Sequence, residues 1–381
     1  MLGGLATLAE ANTIRIATFN ASMDGSNYVA YREKPKGEEL LVRLAHGKEK
    51  QIQNVAEIIQ VTRPDILLLN EFDYIADPEK GVKAFLANYL AKPQNGQKPI
   101  DYPYFYIAPV NTGVGTGLDL DKDGVASGVG ADAFGFGFYP GQYGMVLLSK
   151  YPIQQDKVRT FQHFLWKDMP NSLLTDIKDA EGNPWYNKEA QNILRLSSKS
   201  HWDIPLQING ETVHVLASHP TPPVFDGEEN RNGKRNHDEV RFWNDYLVEG
   251  KQSAYIYDDK GQKGGFVGQR FVILGDLNAN PDEGDSYGAA ISNLINHKKV
   301  NAQFKPESEG GKQNKADNSL AKYHTAGWGM RADYVLPSQA GLKVNSGGVF
   351  WPTKKAPLYR LVADRRSSSD HRLVWLDLEI K

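Results

Sequence analysis

Eight side chains suited to hydrolytic chemistry stand at the ends of short apolar runs. Asn20 closes Ile14–Asn20 (IRIATFN), Glu71 closes Ile66–Glu71 (ILLLNE), and Asp276 and Asn278 close Phe271–Asn278 (FVILGDLN). His219 follows Val213–Ser218 (VHVLAS), Asp333 sits in Arg331–Leu336 (RADYVL), and Asp370 and His371 precede the last apolar stretch. Carboxylate and amide oxygens suit hard cations such as Mg²⁺ or Mn²⁺. Imidazoles can move protons or offset charge developing on a phosphate. Together these groups could carry out metal-assisted phosphate chemistry. Taken singly, each has a plainer reading: a turn cap for Asn20, a solvated strand end for Glu71, a loop hydrogen bond for His219, a salt bridge to arginine for Asp333.

Spacing sharpens two of these signals. Asp276 and Asn278 are two residues apart, so extended backbone turns both to one side, and Gly275 lets another group come close. Asp370 and His371 are neighbours and would face opposite ways in a regular strand, so both serve one site only from a loop or a strand start.

The elements that must position these groups are mostly strands. Apolar runs bounded by turn residues predict strands at Ile14–Phe19, Ile66–Leu69, Tyr104–Ala108, Met145–Leu148, Thr212–Ala217, Phe271–Leu274 and Leu373–Ile380. Ile52, Val55 and Ile59 recur at helical spacing, and Pro64 closes that helix. A second helix is expected to begin at a capping box, Asn236 and Glu239, with Val240, Trp243 and Leu247 as its apolar stripe. Strands mixed with helices throughout predict one α/β domain over residues 12–381, with two sheets stacked face to face and helices outside. Two insertions interrupt the pattern: the glycine-rich Asn111–Gly141, and the polar Asn301–Leu320, expected to be a mobile surface loop.

Composition narrows the classes. The chain has 381 residues, 40% hydrophobic and 24% charged, as in an ordinary globular protein. A net charge of −2 offers no global basic field for nucleic acid, and there is no apolar run long enough to span a membrane. Met1–Ala11 ends in Ala9-Glu10-Ala11, a cleavage-like pattern that reads as an export-signal remnant or an ordinary disordered terminus. An extracellular or periplasmic protein, monomeric and without a protein partner, is expected.

Two further clusters bear on ligands. Asp119, Asp121, Asp123 and Gly124 have the D-x-D-x-D-G spacing of a calcium loop. The twelfth position is Gly130 in place of a bidentate Glu, and Asp132 is the substitute. Arg231 and Arg235, after His219, could grip a phosphate, or could be a solvated cluster paired with Asp226, Glu228 and Glu229.

In their order along the chain, the six motifs resemble the endonuclease/exonuclease/phosphatase superfamily, which includes DNase I, apurinic-site endonucleases, sphingomyelinases and inositol polyphosphate 5-phosphatases. The match runs from Ile14 to Ile380, and Ser369-Asp370-His371 before the final strand is its most specific part. The resemblance implies a DNase I-like four-layer α/β sandwich. It implies that Asn20, Glu71 and Asp370 hold the catalytic cation, that Asp276 activates water and that Asn278 orients it or the phosphate. His371, oriented by Asp333, would stabilise the transition state, and His219 would assist the leaving group, a histidine where the apurinic-site enzymes have tyrosine. A metal-dependent phosphoesterase is expected, with phosphodiester or nucleic-acid cleavage ahead of phosphomonoester hydrolysis. A non-catalytic, calcium-stabilised binding module on the same fold is the alternative from another class.

Overall fold

The computed structural model describes residues 13–381, so the leader-like segment 1–11 lies outside the described residues. Eleven strands among them are numbered in chain order: β1 (Thr13–Met23), β2 (Ile66–Phe72), β3 (Tyr104–Tyr106), β4 (Met145–Ser149), β5 (Arg159–Thr160), β6 (His201–Ile208), β7 (Glu211–Ser218), β8 (Arg270–Asp276), β9 (Asp333–Pro337), β10 (Leu342–Val349) and β11 (Val374–Ile380). They form a six-stranded sheet, β10-β11-β1-β2-β4-β3, and a five-stranded sheet, β5-β6-β7-β8-β9. Each sheet has one parallel pair at its centre, β1 with β2 and β7 with β8, flanked by antiparallel neighbours.

Period-two alternation sorts the side chains between two layers. Val213, Val215 and Ala217 of β7 and Val272 and Leu274 of β8 join Ile16, Leu67 and Leu69 in the core between the sheets. The alternate residues Leu216, Phe271 and Ile273 turn the other way and pack on Val240, Phe242 and Trp243 of the helix Arg231–Tyr246. The helix Lys50–Thr62 contributes Ile52, Val55 and Ile59 to the first core and ends at Arg63, whose left-handed φ of 53° precedes Pro64. Two mixed sheets with flanking helices make the expected α/β sandwich.

The topology also explains why the site lies at one edge. The parallel strands β1, β2, β7 and β8 end there, and the antiparallel strands β9 and β11 begin there. Gly275 permits the close approach of β8 to β7: its φ is 146°, and a Cβ would fall 2.0 Å from the Ser218 carbonyl oxygen.

Two expectations need correction. The second helix begins at Arg231, not Asn236, so Asn236 and Glu239 lie inside it and do not cap it. The segment Asn301–Leu320 is structured: it contains the helix Glu309–Asn314, and Gly310 sits so tightly on Trp351 that a Cβ would meet the Trp351 carbonyl oxygen at 2.1 Å. Its glycines are packing positions, which polar composition alone does not reveal.

Candidate active site

The strand ends bring together the residues that the sequence scatters. Asp276 and Asp333 are direct register partners on β8 and β9. His371 Nδ1 lies 2.9 Å from Asp333 Oδ2, and its Nε2 lies 3.5 Å from Asp276 Oδ2. His219 Nε2 approaches the same Asp276 oxygen at 3.4 Å, and Asn20 Nδ2 donates to it at 3.0 Å. The backbone N–H of Asn278 donates to the other oxygen, Asp276 Oδ1, at 3.1 Å. One buried carboxylate is thereby held by donors from both sheets.

These contacts set the charges. Burial opposes ionisation of Asp276, but His371, His219 and the Asn20 amide outweigh it and hold the carboxyl well below its usual range. Burial likewise opposes the charge on His371, yet the carboxylates of Asp333 and Asp276 raise its imidazole to about 10. His219 goes the other way: burial, reinforced by the Lys199 ammonium, pushes it down to about 4. At neutral pH the site therefore pairs an anionic Asp276 with a cationic His371 and a neutral His219.

Asp333, the partner of His371 Nδ1, is itself held in place. Its Oδ2 also accepts from Thr325 Oγ1 at 2.6 Å, and Thr325 in turn accepts from the Ala332 and Asp333 N–H groups. Asp276, Asp333 and His371 lie close enough to be counted as a potential metal cluster. Both ring nitrogens of a cationic His371 carry protons, so the imidazole offers no lone pair, and the trio is better read as proton and charge machinery.

The other half of the edge is acidic. Glu71 ends its strand with a left-handed φ of 55°, a sparsely populated conformation for a non-glycine residue. Burial pushes its carboxyl up to about 8, with the charges of Asp24 and Asp370 adding to the rise. Asp370 accepts from Ser22 Oγ at 3.3 Å and has the Arg365 guanidinium 3.6 Å away. The carbonyl oxygen of the Asn20 side chain accepts only a long 3.2 Å bond from Ser22 N. Clustered oxygens with this little compensation fit a divalent cation, which Asn20, Glu71 and Asp370 would hold. Such an ion polarises a phosphate oxygen when bound.

Several contributors escaped sequence reasoning. Asp24 and Asp73 are 1% and 4% exposed beside Glu71, and burial raises both carboxyls. Asp73 is braced by Gly25 N, Tyr143 N and the Tyr139 hydroxyl. Asn70 accepts from Asp276 N at 2.9 Å and so ties the sheets together at the site. Lys199 is 6% exposed, and burial lowers its pKa while Glu239, Glu71 and Asp276 oppose that fall.

Each flanking helix also fastens one side of the edge. Gln51 Nε2 donates to the carbonyls of Ala21 and Ser368, and Asn54 Nδ2 to that of Ser367. On the other helix, Glu239 accepts from Ser198 N and Thr221 N, while Asn236 Nδ2 donates to the carbonyls of Thr221 and Leu277. The residues read as a capping box instead hold the loops on either side of His219 and Asn278. The Asn-x-x-Glu spacing suits both uses, so spacing could not separate them.

The cleft above these groups has a volume of about 460 Å³ and is lined by Glu71, Asp276, Asn278, Asp370 and His371, among others. Arg231 and Arg235 do not line it. Arg231 pairs with Glu229 and lies over Trp185, while Arg235 donates to the carbonyls of Phe134, Arg195, Leu196 and Ser197. Asp119, Asp121 and Asp132 gather in the glycine-rich insertion, and Asp123 is outside that group.

Comparison with known proteins agrees with this geometry. The model of the Endonuclease/Exonuclease/phosphatase family matches residues 17–371. The chain belongs to that family. Metal-dependent hydrolysis of phosphate esters is the chemistry that membership of this family supports. Among solved structures, an endonuclease/exonuclease/phosphatase from Beutenbergia cavernae is 16% identical, with 97% of this chain and 72% of that one covered and a TM-score of 0.51. The human Nocturnin catalytic domain with bound sulfate is 13% identical over 97% and 95% of the two chains, with a TM-score of 0.47. A beta toxin variant from Staphylococcus aureus, solved with bound magnesium ions, is 14% identical over 97% and 99%, with a TM-score of 0.44. At 16% identity, the likeness to the Beutenbergia cavernae structure bears on the fold alone. No curated protein sequence matches the chain.

Proposed function

We propose that this family member is a phosphodiesterase that uses Mg²⁺ or Mn²⁺ to cleave phosphodiesters, nucleic acid included, by direct attack of water. The observation that carries the reading is Asp276 Oδ2, placed 3.4 and 3.5 Å from the Nε2 atoms of His219 and His371. An anionic oxygen there orients water and accepts its proton. The His371 imidazolium, locked by Asp333, donates to the phosphate oxygen on which charge develops. Asn278 Nδ2 donates to the Pro220 carbonyl at 3.1 Å and so ties the loop after Asp276 to the loop that carries His219. His219, neutral, offers a hydrogen bond to the leaving oxygen. Asn20, Glu71 and Asp370 hold the cation.

Structural Ca²⁺ at Asp119, Asp121 and Asp132, and a monomer acting outside the cytoplasm, belong to the same reading. No helix of the described residues is long and apolar enough to cross a membrane. Hydrolysis of bis-p-nitrophenyl phosphate, p-nitrophenyl phosphate and plasmid DNA, compared in EDTA, Mg²⁺, Mn²⁺ and Ca²⁺, tests the proposal. Metal-dependent cleavage of the diester is expected. Cleavage of the monoester alone would make the protein a phosphomonoesterase.

A further inference from the structure

Two aromatic rings wall the catalytic cleft without being needed for the core. Phe225 is 86% exposed and Trp328 48% exposed, and both line the same space as Glu71, Asp276 and His371. Phe225 also has a φ of 64°, a left-handed backbone that a bulky residue rarely adopts. A strained, solvent-facing phenyl contributes nothing to folding that a smaller polar residue would not.

The mounts are rigid. Pro220, Pro222 and Pro223 stiffen the loop before Phe225. Asn232 Nδ2 donates to the Val224 carbonyl, and Asp226 accepts from Asn232 N, both at 2.7 Å. The Trp328 ring stands edge-on to His371, with centroids 4.9 Å apart and planes at 84°, and Gly327 N donates to the Asp370 carbonyl at 2.7 Å. The indole is therefore fixed relative to the groups that would hold phosphate.

Charge then limits the ligand. The cleft lining includes Glu71, Asp276, Asp285 and Asp370 against one guanidinium, Arg365, and the His371 imidazole. A duplex presents a phosphate every few ångströms and gains its affinity from a row of lysines or arginines; this lining has one arginine, so among the diesters proposed above a small one is favoured. Asp226 and Glu228, close to Phe225 in the chain, likewise disfavour an anionic lipid surface. A small ester with few phosphates and one flat ring fits both the charge and the volume.

We propose that Phe225 and Trp328 form a stacking subsite for the planar base of a small nucleoside-bearing phosphodiester, whose phosphate lies at the Asp276–His371 end. The placement of the phosphate rests on the phosphoesterase reading; the placement of the ring rests on the two aromatic side chains.

Calorimetric binding of adenosine 5′-monophosphate and ribose 5-phosphate, both in Mg²⁺, isolates the ring, because sugar and phosphate are common to the two. The nucleotide is expected to bind roughly ten-fold more tightly, the usual scale for one base on an aromatic side chain. Phe225→Ala should remove most of that preference. It should leave ribose 5-phosphate binding within about two-fold of wild type, as for an exposed residue outside the chemistry. Trp328→Ala, read by binding alone because the ring touches His371, should also weaken the nucleotide.

Equal affinities, no binding of either compound, or a preference unchanged in Phe225→Ala would overturn the subsite. Association with zwitterionic phosphatidylcholine vesicles that depends on Phe225, without a nucleotide preference, would overturn it in favour of a lipid surface. A nucleotide preference that Phe225→Ala removes, in a protein that hydrolyses no ester with any metal, would uphold the subsite and defeat the phosphoesterase reading.

Discussion

The acidic cluster in the insertion and the one at the cleft hold their most buried carboxylates, Asp132 and Glu71, in opposite ways. In the insertion, Asp119 accepts from Asp123 N and Gly124 N, Asp123 accepts from Val125 N, and Asp132 accepts from Leu120 N, Ser127 N and the Ser127 hydroxyl. The loop's own donors hold Asp132 below its ordinary value although burial opposes them. At the cleft, Glu71 is pushed up to about 8 by burial and by its acidic neighbours, with His371 and Asn20 pulling against the rise. The insertion supplies much of this compensation from its own backbone, although burial and the charges of Asp123, Asp132 and Asp119 still raise Asp121, so an ion there has less to offset. A strand end that concentrates carboxylates cannot stand cheaply without one, and there the fold leaves work for a cation.

The largest effect expected from breaking this contrast is on turnover. Asp276→Ala should keep the circular dichroism spectrum and lower kcat on the cleaved diester by about 10³-fold, the scale of removing a catalytic base or a positioned electrostatic group. Near-normal kcat would remove Asp276 from the mechanism.

Glu71→Gln comes next. It should abolish the rise in Tm that Mg²⁺ produces in the wild type, while leaving Tm in EDTA equal or higher, because the folded state no longer has to hold a proton that the unfolded chain releases. The same group gives a pH dependence. Its folded pKa of about 8 lies above the ordinary 4.5, so its contribution to stability is full below 4.5 and is lost as pH rises toward 8. In EDTA the wild type should therefore lose up to a few kcal/mol across that window by urea unfolding, and Mg²⁺ or Glu71→Gln should flatten the loss.

His201 provides a smaller effect of opposite sign, away from both clusters. Burial pushes it down to about 4, with Nδ1 2.6 Å from Ser197 Oγ and Nε2 2.8 Å from the Glu239 carbonyl. The unfolded chain takes up the proton first, so stability present above pH 6.5 is lost as pH falls toward 4, by about 3 kcal/mol. His201→Gln should reduce that slope in urea unfolding measured at a series of pH values. The smallest effect belongs to the insertion: Asp121→Asn should change kcat less than about two-fold, as for a half-buried loop residue remote from the chemistry, and remove any rise in Tm on adding Ca²⁺.

Much of this was legible because the chemistry sits where patterns are loudest. Buried strands read as apolar runs, and Asn20, Glu71, Asp276 and His371 each adjoin one. β6 was missed because Pro205 interrupts it; the strand survives because β5 pairs only with Trp202 and Asp203, leaving the proline's outer side out of that ladder. β10 was missed because its Asn345, Ser346, Gly347 and Gly348 do not look like a strand, yet Gly348 makes room for the Trp375 ring. Asp24, Asp73 and Lys199 stand outside any apolar period, so only three-dimensional proximity reveals them. Arg231 and Arg235 show the converse: of the two readings of that charge cluster, pairing with acidic neighbours describes Arg231, which meets Glu229, while Arg235 turns to backbone carbonyls.

The pairing of β11 with β1 has a kinetic meaning. The strand holding Asn20 is among the earliest of the described chain, and its edge is completed by the strand that follows Asp370 and His371, near the far end. Closing so long a loop is slow, and the contacts that reward it come last. A growing or half-folded chain can have most of its core and still be inert. Catalytic competence then reports on complete assembly, and recovery of activity after dilution from denaturant should lag behind the recovery of secondary structure.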